Sequence, residues 1–400
     1  MKKARALHLQ GSSLQRSFQM RWNFRLAFWC SPATGGQTTP EKRIPVRGGG
    51  ATFPSPFYQI AIADFDEKFP GLDRQILYNQ KLPDRTQIPL GSEKGIELVR
   101  GKSLDFAGSD WPLSHEELAR LNGIQVPTVL GAVAVVYNLP GLPRTFTSWN
   151  TLAAPRLNFS ADVLARIFQG TITQWDDPYI ERENPGINFP SAAIVPVHRS
   201  DGSGTTHLFT NYLTYNSANW SGGNGLKGLH WAKNSLEAKG NDAVANAVSE
   251  NEYTIGYVEL EYTEKHNLSP ANIQLKVGTK TKFVEPKASS LEAAVPSGAA
   301  QALSEGSDEA LQESFGKPRN EATPGESLPY PITGFSWLIL RPIGDGKSQE
   351  TLCKFLEFLP GWASKNAETY KYESFPSEIV VQYKSKIDKY CGYSSGQSNP

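Results

Sequence analysis

Cysteine is scarce in this chain. It holds three in 400 residues, at positions 30, 353 and 391, and those spacings cannot assemble a metal site. Net charge is missing too: 40 basic residues balance 40 acidic ones, which excludes the broad positive field with which proteins hold a nucleic-acid backbone. No stretch approaches the ~18 uninterrupted apolar residues of a membrane helix, so we expect a soluble body. Gly344-Asp345-Gly346-Lys347-Ser348 imitates the end of a P-loop, but the first glycine of that motif would fall on Arg341. Gly202-Ser203-Gly204 lacks the intervening residues of a nucleophile elbow, although His198 and His207 flank it and leave a phosphatase-like hydrolase as a lesser alternative. What the chain does have is length, 28 prolines and 11% aromatics, which suit a rigid, loop-rich α/β protein of two lobes with a sizeable interior.

Arg199-Ser200-Asp201-Gly202-Ser203-Gly204-Thr205 follows the apolar run Ala192 to Val195 and precedes a helix expected from Thr205 to Leu213. A strand that ends in small residues and opens a helix aims backbone N–H groups and the positive end of the helix dipole at whatever sits there. Arg199 adds a planar donor fork for phosphate or carboxylate, and Asp201 is close enough in sequence to brace it. Taken alone, the segment is equally an ordinary polar turn. A second such place is Gly48-Gly49-Gly50-Ala51-Thr52-Phe53-Pro54-Ser55-Pro56, where the prolines suit a first helical turn and Phe57, Ile60, Ala61, Phe65 and Phe69 recur at helical spacing up to Pro70-Gly71. Pro89-Leu90-Gly91-Ser92 is a third. Leu104 to Gly108, a short strand followed by Ser109 and the carboxylate Asp110, is a fourth.

Gly48 to Pro56, Asp105 to Ser114, Thr173 to Pro178, Arg199 to Thr205, and Gly240-Asn241-Asp242 followed by Ile255 to Val258 fall in the order of the landmarks of the PstS-type phosphate-binding proteins. The chain resembles that family, the extracytoplasmic receptors of phosphate ABC transporters, from about Arg47 to Tyr390. The resemblance implies a two-lobed, type II-like periplasmic-binding-protein fold with hinge crossings and an anion cleft between the lobes. It implies phosphate ligands at Thr52, Phe53, Ser92, Asp110, Arg199, Ser203, Gly204 and Thr205, with Asp201 in support. Main-chain N–H groups serve at Phe53, Gly204 and Thr205, and hydroxyls at Thr52, Ser92, Ser203 and Thr205. It implies no catalysis, no cofactor and no metal. The partners are inorganic phosphate and the permease subunits, and we expect a monomer. A secreted protein that binds phosphate for scavenging, sensing or adhesion is the rival reading.

The chemistry of Asp110 points the same way. An ionised carboxylate only accepts, so it repels an oxyanion unless that anion carries a proton to donate. Near neutral pH phosphate keeps at least one and sulfate keeps none. Where the family has a Ser-Ser-Gly-Gly turn, this chain has Ser92-Glu93-Lys94-Gly95, after an approach through Tyr78 to Leu90 that is longer than usual. Glu93 is unfavourable beside an anion, and Lys94 is placed to offset it.

Lobe one is expected over 44–129 plus 330–391 and lobe two over 130–329, with the β-branched run Pro127 to Tyr137 crossing between them and Tyr330 to Leu340 returning. Residues 286–328 read as mixed helical and mobile. Residues 1–43 carry Lys and Arg without acidic partners until Glu41 and read as a leader, atypical for secretion because Leu26 to Cys30 is short. A periplasmic or extracytoplasmic location, membrane association included, rests on the family. Residues 392–400 read as a tail. If the helix bearing Cys353 meets the segment just past the last helix, where Cys391 falls, a disulfide is expected in an oxidising compartment.

Overall fold

The computed structural model describes residues 43–80, 91–142, 146–148, 151–152, 156–319 and 327–392. The expected leader up to residue 42, Cys30, the approach through 81–90 and the tail beyond Gly392 lie outside the described residues.

A mixed sheet organises the chain. Strand β1 (Ile44–Gly50) lies parallel between β2 (Arg74–Tyr78) and β3 (Phe106–Ser109). Next comes β9 (Thr333–Leu340), antiparallel to β3 on one side and to β4 (Ile124–Asn138) on the other. The 15 residues of β4 then change neighbours: Ile124 to Ala132 pair with β9, and Val133 to Asn138 pair with β7 (Thr254–Glu259). Beyond β7 lie β5 (Val195–Arg199) and β6 (Leu236–Ala238), parallel to it and to each other, while β8 (Ser269–Pro270) pairs with the far end of β4. The continuous β-branched run of β4 is buried along nearly its whole length, as a strand covered on both faces requires. The crossing expected from Pro127 to Tyr137 is therefore one unbroken strand shared by both halves of the sheet.

Helices start where the sequence puts their caps. Helix α1 (Ser55–Lys68) begins after Pro54, and its buried Phe57, Tyr58, Ala61, Ile62 and Phe65 form one apolar stripe against the β1 side of the sheet. Helix α2 (Ser92–Arg100) follows Gly91, whose φ of 104° is glycine territory. The Ser114 capping box opens α3 (His115–Leu121) as read. Ser203 caps α4 (Gly204–Asn216), which starts one residue earlier and ends three later than expected. Helix α5 is Gly240–Glu250. The P-loop lookalike is a helix start as well: Asp345 caps α6 (Gly346–Asn366) and pairs with Arg74 at 2.9 Å, so a carboxylate occupies the place a nucleotide phosphate would need. Cys353 in α6 is bonded to Cys391 at the end of α7 (Ser377–Cys391), with their Cα atoms 5.9 Å apart. The stretch from 286 on holds the helices Ala288–Glu292, Ala299–Glu305 and Asp308–Ser314, and residues 320–326 lie outside the described ones.

Candidate functional site

All four segments singled out in the sequence converge where β1, β3 and β5 end. The loop after β1 is held by its carbonyls. Tyr78 donates to Ala51 O (2.8 Å), Tyr262 to Thr52 O (2.8 Å) and Tyr372 to Phe53 O (2.6 Å). Three successive acceptors are thereby taken up by buried tyrosines. An anion site has no use for carbonyl oxygens, and here they are engaged elsewhere. Tyr372 Oη also lies 2.9 Å from Glu259 Oε2. Its one phenol proton is shared between the two acceptors as a three-centre bond, which draws the Glu259 carboxyl down. Complete burial outweighs that pull and raises the Glu259 carboxyl well above its ordinary range.

The hydroxyls are arranged the opposite way. Thr52 Oγ1 accepts from the Asn241 N–H (3.2 Å) and from Asn241 Nδ2 (3.0 Å). Ser92 Oγ accepts from the N–H groups of Asp110 (3.4 Å) and Gly204 (3.2 Å). Thr205 Oγ1 accepts from Arg199 Nη1 (3.5 Å) and Asn241 Nδ2 (3.3 Å). A hydroxyl has two lone pairs and one proton, so each of these three is filled as an acceptor and left with a proton to give. Ser203 Oγ accepts from Thr206 N as the helix cap (3.2 Å), which also leaves its proton to donate.

Arg199 is buried at the end of β5, and its Nε and Nη2 grip Asp201 at 2.7 and 2.5 Å. Burial alone would raise Asp201, but the Arg199 hydrogen bonds outweigh it and hold the carboxyl below its usual range, with Gly240 N donating as well. With three of its five N–H donors engaged, the guanidinium keeps its outer edge for a ligand. Asp110, just past β3 and 1% exposed, accepts from Ser336 Oγ at 2.8 Å. Burial pushes its carboxyl up to about 7, against the opposing pull of Ser336 and Arg199.

The structure brings together every residue read from the sequence. Its departure at Ser92 is accommodated differently from the expectation: Glu93 pairs with Lys227 (2.6 Å), while Lys94 turns to Glu97 (2.5 Å). The Gly204 N–H, expected to face an anion, is here given to Ser92 Oγ. Neither flanking histidine is placed as a base. His198 Nδ1 meets Arg199 O at 3.1 Å, and His207 stacks flat on Trp111 at 3.4 Å, with burial lowering its imidazole to about 3. Sequence reasoning missed Asn241, Ser336, Tyr78, Tyr262, Tyr372 and Glu259. Only Asn241 carried a signal, as part of the Gly240-Asn241-Asp242 landmark.

The PBP superfamily domain model matches residues 31–359. Among curated relatives, the phosphate-binding protein PstS of Pasteurella multocida is 38% identical over 250 residues, spanning 62% of this chain and 65% of that protein. That of Haemophilus influenzae is 31% identical over 344 residues, 85% of this chain and 92% of the relative. Among solved structures, a high affinity periplasmic phosphate-binding protein with phosphate bound superposes with a TM-score of 0.62 at 22% identity, covering 86% of this chain and 93% of the other.

Proposed function

Because this chain belongs to the PBP superfamily and, within it, to the PstS phosphate-binding proteins, we propose that it binds one inorganic phosphate outside the cytoplasm and presents it to the permease of an ABC transporter. The observation that carries this reading is the polarity of the cleft. Thr52, Ser92 and Thr205 are filled as acceptors and can only donate, and among the described residues Asp110 is the carboxylate set to accept from the ligand. An oxyanion that also carries one proton matches that set.

In this reading Phe53, Gly204 and Thr205 offer main-chain N–H groups, and Thr52, Ser92, Ser203 and Thr205 offer hydroxyls. Arg199 offers its outer edge, and Asp201 fixes the guanidinium without touching the ligand. Asp110 takes the phosphate proton. The Gly204 N–H is shared between Ser92 Oγ and the anion as a three-centre bond, so Ser92 Oγ keeps both of its donors. Lobe one comprises 44–129 plus 330–391 and lobe two 130–329. Thr52, Ser92 and Asp110 then lie on one side, Arg199 to Thr205 on the other, and β4 is the shared crossing. Equilibrium dialysis of the purified protein with labelled phosphate checks the reading: one phosphate per chain supports it, and no retention contradicts it.

Arg199→Ala is expected to weaken phosphate binding by roughly ten- to a hundredfold, the equivalent of about 1.5–3 kcal/mol for a charge-assisted hydrogen bond. Dialysis of the variant measures this. An unchanged dissociation constant would leave Arg199 only the bracing of Asp201.

A further inference from the structure

Building on the phosphate reading of the cleft, we propose that Asn241 is a positioning residue that sets the polarity of the site, compelling Thr52 and Thr205 to donate to the anion rather than accept from their surroundings. Asn241 is the second residue of α5 and fully buried. Its amide orientation is fixed from outside: the Glu259 N–H donates to Oδ1 at 3.1 Å, so that atom must be the oxygen and the other the nitrogen. The two Nδ2 protons are thus available, and one goes to each threonine hydroxyl, at 3.0 Å to Thr52 and 3.3 Å to Thr205. The Asn241 N–H fills the second lone pair of Thr52 at 3.2 Å, and Arg199 Nη1 that of Thr205 at 3.5 Å.

Without the amide, both hydroxyls regain a free lone pair and a second orientation. A rotating hydroxyl is a worse partner for an anion than one whose proton is already aimed, because its ordering must then be supplied by the ligand. An aspartate at 241 would reverse the sign altogether. Once ionised, it accepts from the two threonines and draws their protons away from the cleft. While protonated, it still has one proton to give.

Calorimetric titration of inorganic phosphate into the full chain tests this with wild type, Asn241→Ala and Asn241→Asp at pH 5.5 and 8, and with Thr52→Val/Thr205→Val with and without Asn241→Ala. Asn241→Ala is expected to bind about tenfold more weakly or worse. Asn241→Asp is expected to lose far more relative to wild type at pH 8 than at pH 5.5. A bystander in the fold would cost the same with or without the hydroxyls, whereas the cost of Asn241→Ala should shrink to within about twofold when Thr52 and Thr205 are already Val. Equal affinities of Asn241→Ala and wild type, or a cost that is unchanged without the two hydroxyls, would overturn the role of Asn241 and leave the phosphate reading intact. Failure of the wild type to bind phosphate would overturn both.

Discussion

Asp110→Asn is expected to admit sulfate to a cleft that otherwise rejects it. An ionised Asp110 facing a fully ionised oxyanion is left without a donor, a mismatch of about 1–3 kcal/mol or more, so the amide should improve sulfate affinity by at least about tenfold. Phosphate should lose affinity at the same time, since its proton no longer meets a charge. The wild type should show the same trend under acid. Burial holds the Asp110 carboxyl at about 7, so above that pH it only accepts, and toward pH 5 it carries a proton that it can give to sulfate. Preference for phosphate is therefore greatest above pH 7 and narrows as pH falls. Stability supplies an independent check. A carboxyl raised in the fold contributes fully below its unfolded value near 3.9 and loses that contribution as pH rises through about 7. Ligand-free Asp110→Asn should accordingly out-melt the wild type by a margin that widens from about pH 4 to about pH 7 and then stays level. Competition titration and thermal melts across pH measure both effects. A variant that still ignores sulfate would mean that another group selects.

Much of this site was legible because its parts are local. The Ser203 cap, the Arg199–Asp201 clamp and the turn at Gly91-Ser92 are each formed within a few residues, where spacing and residue type carry the geometry. β4 was legible for a different reason: a long β-branched run has few ways to be buried other than as a strand covered on both faces. Illegible were the groups that decide which way each local part points. Tyr262 and Tyr372 reach the Thr52 and Phe53 carbonyls from 210 and 319 residues away, and Ser336 reaches Asp110 from 226 away. No periodicity links such positions. Lys94 does not offset Glu93 as expected because neighbours on a helix diverge around its axis: Lys94 turns to Glu97, three residues on and on the same face, and Lys227 pairs with Glu93 instead.

Gly204→Ala is expected to abolish tight phosphate binding while leaving the protein folded. Alanine suits the first turn of a helix better than glycine does, so α4 itself should not suffer. The added Cβ, however, would stand 2.6 Å from Asp110 Cβ and 2.8 Å from Ser92 Oγ. In the two-lobe reading proposed above, those atoms belong to the other side of the cleft, so the clash is relieved by drawing the two sides apart. Separation breaks the donor set, because Ser92 and Asp110 no longer reach the ligand together with Arg199 and Thr205. We expect a loss of a hundredfold or more, about 3 kcal/mol, with near-native thermal stability in the absence of phosphate. Small-angle scattering should show wild type contracting on phosphate addition, as a cleft that closes on its ligand must, and the variant not contracting. Phosphate affinity within a few fold of wild type would show that the cleft need not close this far.

The most direct test of the account is a pair of calorimetric titrations of the wild-type chain at pH 8, inorganic phosphate in one and sulfate in the other. Three donor-only hydroxyls beside one ionised carboxylate predict a single phosphate per chain and sulfate weaker by a hundredfold or more. Equal affinities for the two anions, or heat from sulfate alone, would contradict it.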